Sequence, residues 1–311
     1  MRHRIALHLL LVALICITGG LWALIALRAP HGESVGDEDS GQDRPPRIVA
    51  LSPAIAVTLR DLGLAHLIVG KHAWDMVLGE HVPVCGDQTG IDYEALIAAK
   101  PTHVLTQWGT RDLPARLRDL STRYRWIVAD HRLLSLEDIS DTAVELSRDF
   151  GHWATNDAVL AGDPGRVNRA LDEAWSRREG VAAAGRILLL ASVDPPAALG
   201  PGSCHHDLLV RLGGTPAMAR GRPYVPLEIE TLLSMDVDVI VVFAARQSSG
   251  RGAGAWDATA RALGPLAQRP IRAIMAQRVV LVEHPLALTP ATSLVEVARI
   301  MVEGIEQLDA R

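Results

Sequence analysis

Cysteine is nearly absent from this 311-residue chain: Cys16, Cys85 and Cys204 are all there are. Three cysteines are too few for a disulfide framework. Cys16 lies inside an apolar run, so the one bridge left open is Cys85 to Cys204. Aromatic residues are also scarce, at 4%, with 2 Phe and 3 Tyr against 7 Trp. Any flat apolar surface must therefore be built mainly from tryptophan. Positive charge is not in excess, because the formal net charge is −5. The basic footprint of a nucleic-acid binder is missing. So are the short motifs that carry common chemistries. There is no G-x-x-x-x-G-K-[ST], no H-E-x-x-H and no C-x-x-C. The glycines at 200–202 and 250–254 do not form G-x-G-x-x-G either.

The chain is 49% hydrophobic and 22% charged, a globular composition long enough for two ordinary domains. Residues 1–46 stand apart from this. After Met-Arg-His-Arg, the 23 residues from Ile5 to Leu27 are apolar, interrupted by His8 and a few small residues. A helix of that length spans ~30 Å of hydrocarbon. A secretory apolar core is usually only ~7–15 residues, so residues 1–27 read as a membrane anchor, with a cleaved signal as the second reading. Arg2 and Arg4 precede the run and an acidic segment follows it. That asymmetry keeps the N-terminus cytoplasmic and exports the remainder. Residues 28–46 are rich in Gly, Pro and acid, which predicts a flexible tether.

From Arg47 short apolar runs alternate with helical patterns. The runs are 47–51, 67–70, 103–107 and 126–130, and the helical patterns are 56–62, 92–99 and 111–121. Continuous apolar runs bounded by turn residues suit a parallel sheet built from βα units. The series then repeats. "YEALIAAKPTHVL" at 93–105 and "IETLLSMDVDVIV" at 229–241 align at an offset of 136. The alignment puts Glu94 on Glu230, Leu96 on Leu232 and Val104 on Ile240. "RILLLASVDP" at 186–195 likewise echoes "RIVALSP" at 47–53. Two matches in the same order predict an α/β chain of two similar lobes, 47–134 and 186–311, with parallel central sheets.

Residues 135–185 would link the lobes. Ser135 and Asp138 form a capping-box-like start to a helix ending at Gly151. Asp163-Pro164 opens a second helix, expected to run through 165–184 as one ~30 Å rod. Such a backbone helix would leave a ligand cleft between the lobes.

The segments "RIVALSPAIAVTLRDLGLAHLIVGKHAWD", "IDYEALIAAKPTHVLTQWG", "HRLLSLEDI", "DLLVRLGG" and "LEIETLLSMDVDVIVV" appear in order over about residues 47–305. Together they resemble the helical-backbone class of ABC-importer substrate-binding proteins, the type III periplasmic binding proteins. Members of that class bind vitamin B12, iron–siderophores or haem. "TQWGTR" and "VDPPAALGPGS" are similar to cleft loops of the B12 binders. The resemblance implies a monomeric, non-enzymatic, extracytoplasmic receptor without a cofactor of its own. It would capture a metal chelate, a corrinoid first and a ferric siderophore or haem next, and deliver it to a membrane permease. It also implies that Glu94 and Glu230 dock on arginines of that permease. Without the resemblance, each is simply an acid in the first turn of a helix, where it suits the dipole.

Ligands of doubly wound sheets bind outside the carboxyl ends of the strands. The candidates there are Ser52, His72, Trp74, Trp108, Arg111, Tyr224 and His284. Ser52 starts a helix and is either an N-cap or an anion contact. Trp74 and Trp108 are platforms for a flat ligand, or pack beneath their loops. Arg111 suits an anionic group. Tyr224 would stack or hydrogen-bond. Two other readings use different residues. A bare zinc or manganese receptor would gather His72, His131, His205 or His206, and His284. A tetrapyrrole chelatase-like enzyme would act through one histidine.

Overall fold

Ile48, Val49 and Ala50 form a strand of three fully buried residues, β1, which stops at Ser52-Pro53. Ser52 has extended backbone and accepts a hydrogen bond from the Ile55 amide, while Pro53 occupies the first helical turn. Helix α1 therefore starts at once, Pro53–Asp61. A 3-10 turn, Ala65–Leu67, leads into β2, Ile68–His72. Then come β3, Val84–Asp87, and β4, Gly90–Ile91. Asp92 accepts from the Glu94 and Ala95 amides and caps α2, Tyr93–Ala99. Strand β5, His103–Thr106, helix α3, Ala115–Tyr124, and strand β6, Ile127–Asp130, complete the first sheet.

Its order is β4-β3-β2-β1-β5-β6, parallel throughout except for the β3–β4 pair. The chain winds outward from β1 first through β2 and then through β5. The switch point of the sheet therefore lies between β1 and β5. Gly70 is required where β2 meets β3, since a Cβ there would stand 2.5 Å from the Cys85 sulfur.

The capping box is present: Ser135 and Asp138 exchange bonds and open α4, Leu136–Phe150. Ile139, Ala143, Leu146 and Phe150 line its buried stripe. Gly151–Trp153 is a 3-10 turn. Asp163 accepts from the Gly165 and Arg166 amides and caps α5, Pro164–Ala174. Here the structure corrects the expected single rod. The helix ends at Ala174, Arg178 is extended, and a short α6, Glu179–Ala183, follows. Trp175 is fully buried, and the Ser176 hydroxyl donates to the Glu173 carbonyl. Burying the indole and satisfying that carbonyl locally both compete with helix propagation.

The second sheet uses β7, Arg186–Val193, and β8, Pro196–Leu199, joined as a hairpin. Helix α7, Cys204–Arg211, is capped by Ser203. Next come β9, Thr215–Pro216, β10, Tyr224–Pro226, α8, Ile229–Ser234, and β11, Val239–Ala244. Helices α9, Ala255–Leu263, and α10, Arg272–Met275, precede β12, Val279–Glu283, and the chain closes in α11, Leu294–Asp309. The order is β10-β8-β7-β11-β12, with β9 beside β7. Strands β7, β11 and β12 run parallel, while β8 is antiparallel to β7 and β10 to β8. The repeated segments thus become equivalent units: α2–β5 lies beside β1, and α8–β11 beside β7.

This computed structural model describes residues 44–87, 89–108, 112–244 and 255–309. Within it, Pro45–Arg311 forms one compact unit. One core runs through both sheets, from Ile48 and Ala50 past α4, α5 and α7 to Ile187 and Leu189. Cys85 and Cys204 are both free and buried, and burial pushes their thiols up to about 11 and about 12. The expected anchor and nearly all of the tether lie outside the described residues. Among the described residues no helix is long and apolar enough to cross a membrane.

Candidate functional site

The carboxyl ends of β1, β2, β3 and β5 surround a cavity of about 330 Å³. Its lining includes Leu51, His72, Asp87, Ile91, Gln107 and Trp108. It opens at the switch point, where strands diverge and backbone alone cannot close the crevice. Ser52, at the end of β1, donates to Gln107 Oε1 at 2.6 Å across that point. Its hydroxyl therefore ties β1 to β5 as well as capping α1. Ser52 is 2% exposed, so it supports the cavity from behind and does not face it as a free ligand group.

Trp108 follows β5 and is half-buried at the cavity wall. Asp130 holds its backbone: Asp130 Oδ1 accepts from the Trp108 amide and from the Thr106 hydroxyl, each at 2.6 Å. The loop after β2 has its own frame. Asp75 Oδ1 accepts from the Val77 and Leu78 amides, and Lys71 Nζ donates to the Leu78 and Gly79 carbonyls. His72 Nδ1 accepts from the Trp74 amide at 3.0 Å. The neutral ring therefore carries its proton on Nε2. Burial lowers the His72 pKa, opposed by Asp87 and Asp75, so the imidazole is neutral near pH 7. Trp74 stands edge-on to it, with ring centroids 6.3 Å apart, and is 59% exposed. The indole is not packed beneath its loop.

The remaining candidates fall elsewhere. Arg111 lies outside the described residues. Tyr224 is exposed on edge strand β10 and does not line the cavity. His284, after β12, accepts from the Leu286 amide. Its pKa is lowered by burial, and its charged neighbours are Glu296, Arg60 and Asp61.

The histidines of the bare-ion reading are not gathered. His205 Nε2 donates to the Ala287 carbonyl, 2.7 Å away, and the ring is buried against Phe243. His206, next to it on α7, faces Asp207 instead, because adjacent residues diverge around a helix. His131 is buried beside Glu145 at 3.6 Å. Among the described residues no group of three His, Cys, Asp or Glu is placed to hold a metal ion.

Two cavity residues escaped the sequence reading. Gln107 directly precedes Trp108 and carried that signal unrecognised. Asp87 ends β3, a strand whose single buried apolar side chain, Cys85, is too weak a pattern to detect.

Glu94 and Glu230 occupy matching places, exposed in the first turns of α2 and α8. Neither has an ion-pair or hydrogen-bond partner for its carboxylate among the described residues.

No protein-family model matches the chain, and no curated protein matches it in sequence. Solved structures do match. The periplasmic vitamin B12-binding protein BtuF of Vibrio cholerae superposes with a TM-score of 0.61 at 16% identity, covering 86% of this chain and 99% of its own. The periplasmic haem-binding protein HutB of the same organism gives 0.62 at 16%, covering 83% and 98%. IsdE of S. aureus, solved with haem, gives 0.57 at 20%, covering 84% and 99%. The fold is that of the type III periplasmic binding proteins. The cavity of this type III fold lies at the end of the N-terminal sheet where Trp108, His72 and Gln107 converge.

Proposed function

We propose that the chain is the extracytoplasmic receptor of an ABC importer, a binding protein and not an enzyme. It captures a metal chelate at the β1–β5 switch point and hands it to a membrane permease. A corrinoid is the preferred cargo, with a ferric siderophore or haem next. The observation that carries this reading is the cavity lined by His72 and Trp108, with the exposed Trp74 edge-on to His72, in a fold shared with vitamin B12-binding and haem-binding proteins. An exposed indole beside a cavity-lining histidine suits a large flat ligand with polar edges. Glu94 and Glu230 support the delivery step. Two unpaired acids at equivalent places present a repeated anionic signal to a two-fold partner, and such charges chiefly set orientation and on-rate.

The test is absorbance-monitored titration of the full-length chain with cyanocobalamin, haemin and a ferric hydroxamate siderophore, with zinc by calorimetry as control. Micromolar or tighter binding of one chromophore is the expected result. Binding of zinc alone, or of nothing, overturns the reading.

A further inference from the structure

The described residues lining the cavity include no cation. Lys71, on neighbouring β2, is buried and holds two loop carbonyls. His72 is neutral near pH 7. One lining group is anionic: Asp87, which donations from the Thr89 hydroxyl, foremost, and the Thr89 amide hold below the usual carboxylate range. All three of its hydrogen bonds, from the Thr89 amide and hydroxyl and the Gly90 amide, fall on Oδ1. Its Oδ2 has no partner among the described residues. The opposite holds at Gln107. Its Oε1 is taken by Ser52, and its amide nitrogen has no partner among the described residues. The cavity therefore presents one open acceptor bearing negative charge, at the end of β3, and one open neutral donor, at the end of β5.

We propose that Asp87 and Gln107 select a ligand whose edge carries primary carboxamides over one whose edge carries carboxylates. This rests on the receptor reading above and narrows it. A carboxamide supplies an N–H for Asp87 Oδ2 and a carbonyl for the Gln107 amide. A carboxylate supplies no donor and places like charge beside Asp87, and such juxtapositions are strongly disfavoured once water is excluded. Asp130, whose Oδ1 already holds Trp108 and Thr106, adds a second acidic group at the carboxyl end of the same sheet. A site built to hydrogen-bond an N–H rejects the analogue that lacks it far more sharply than an apolar pocket rejects a misfit.

The full-length chain is titrated with cyanocobalamin, with its isomeric monocarboxylates in which one peripheral carboxamide is hydrolysed to the acid, and with haemin, whose polar edge is two carboxylates. Cyanocobalamin binds tightest, and at least one monocarboxylate binds tenfold or more weakly. Asp87→Asn keeps an oxygen for the Thr89 and Gly90 bonds, so it folds, and it shrinks that gap to threefold or less. Gln107→Met removes the donor without changing charge and weakens cyanocobalamin at least threefold while leaving haemin unchanged. If haemin binds and cyanocobalamin does not, the receptor reading stands and this inference falls. An amide-to-acid ratio unchanged in Asp87→Asn, with Gln107→Met also neutral, overturns it equally. If no chromophore binds, both readings fall together.

Discussion

Asp61 and Thr292, 231 positions apart in sequence, share a 2.7 Å hydrogen bond. The bond joins the end of α1, beside the first sheet, to the turn that opens α11, behind the second. Asp61 also accepts from the Arg60 guanidinium, so its carboxylate is held from both sides. With the shared core, this contact resists relative movement of the two lobes.

Thr292 is 1% exposed, and Thr292→Val keeps its shape while deleting the donor. The expected cost is about 1.5–3 kcal/mol, as for a hydrogen bond to a charged group. Thermal unfolding should show a midpoint lower by a few degrees. An unchanged midpoint would mean that the bond is not formed in solution.

Trp108, in the cavity wall, and Trp74, beside His72, should separate binding from stability. Trp74→Ala removes an exposed side chain and should change stability by less than about 0.5 kcal/mol. Trp108→Ala should also fold, because Asp130 holds the backbone of residue 108 and not its ring. Each should weaken chelate binding tenfold or more in the absorbance titration.

Glu94→Ala combined with Glu230→Ala should leave ligand affinity unchanged and abolish uptake. Transport into cells or permease-containing vesicles is the readout. Uptake that survives the pair would return both glutamates to their local role at a helix N-terminus.

Acid should destabilise the fold through its buried histidines. His205 is the clearest, with its pKa lowered by burial from 6.5. His131 and His103 are shifted the same way for the same first reason. In each case the unfolded chain takes up a proton near its ordinary pKa, whereas the native state does so only at lower pH. Stability is therefore full above about pH 6.5 and falls as pH drops below it, by up to ~1.4 kcal/mol per pH unit for each such group. Urea unfolding at pH 7.5 and 5.5 measures the slope. His205→Gln should reduce it by up to one proton's worth.

Much of the architecture was legible because its signals are local. Ser52, Ser135 with Asp138, and Asp163 each cap the helix that follows them. The buried central strands β1, β5, β7 and β11 are continuous apolar runs. The strands that escaped notice, β3, β4, β8, β9 and β10, have four residues or fewer. Strand β4 has two residues, and β10 is Tyr-Val-Pro, so neither supplies a run or an alternation to read. The break at Trp175 was hidden because helix propensity there is ordinary, and burial of the indole decides the matter.

By itself, the sequence determined the order of the central parallel strands and the helices between them, the duplication that pairs Glu94 with Glu230, and the tryptophans at strand ends. All of these follow from residues within a few positions of one another. Tertiary structure alone decided that Asp87 and Gln107 line one cavity, that the candidate histidines diverge, and that Asp61 meets Thr292. Those relationships depend on strand register and on which helix packs against which sheet. They are set by burial of the whole core, and hydrophobic periodicity along the chain carries no record of them.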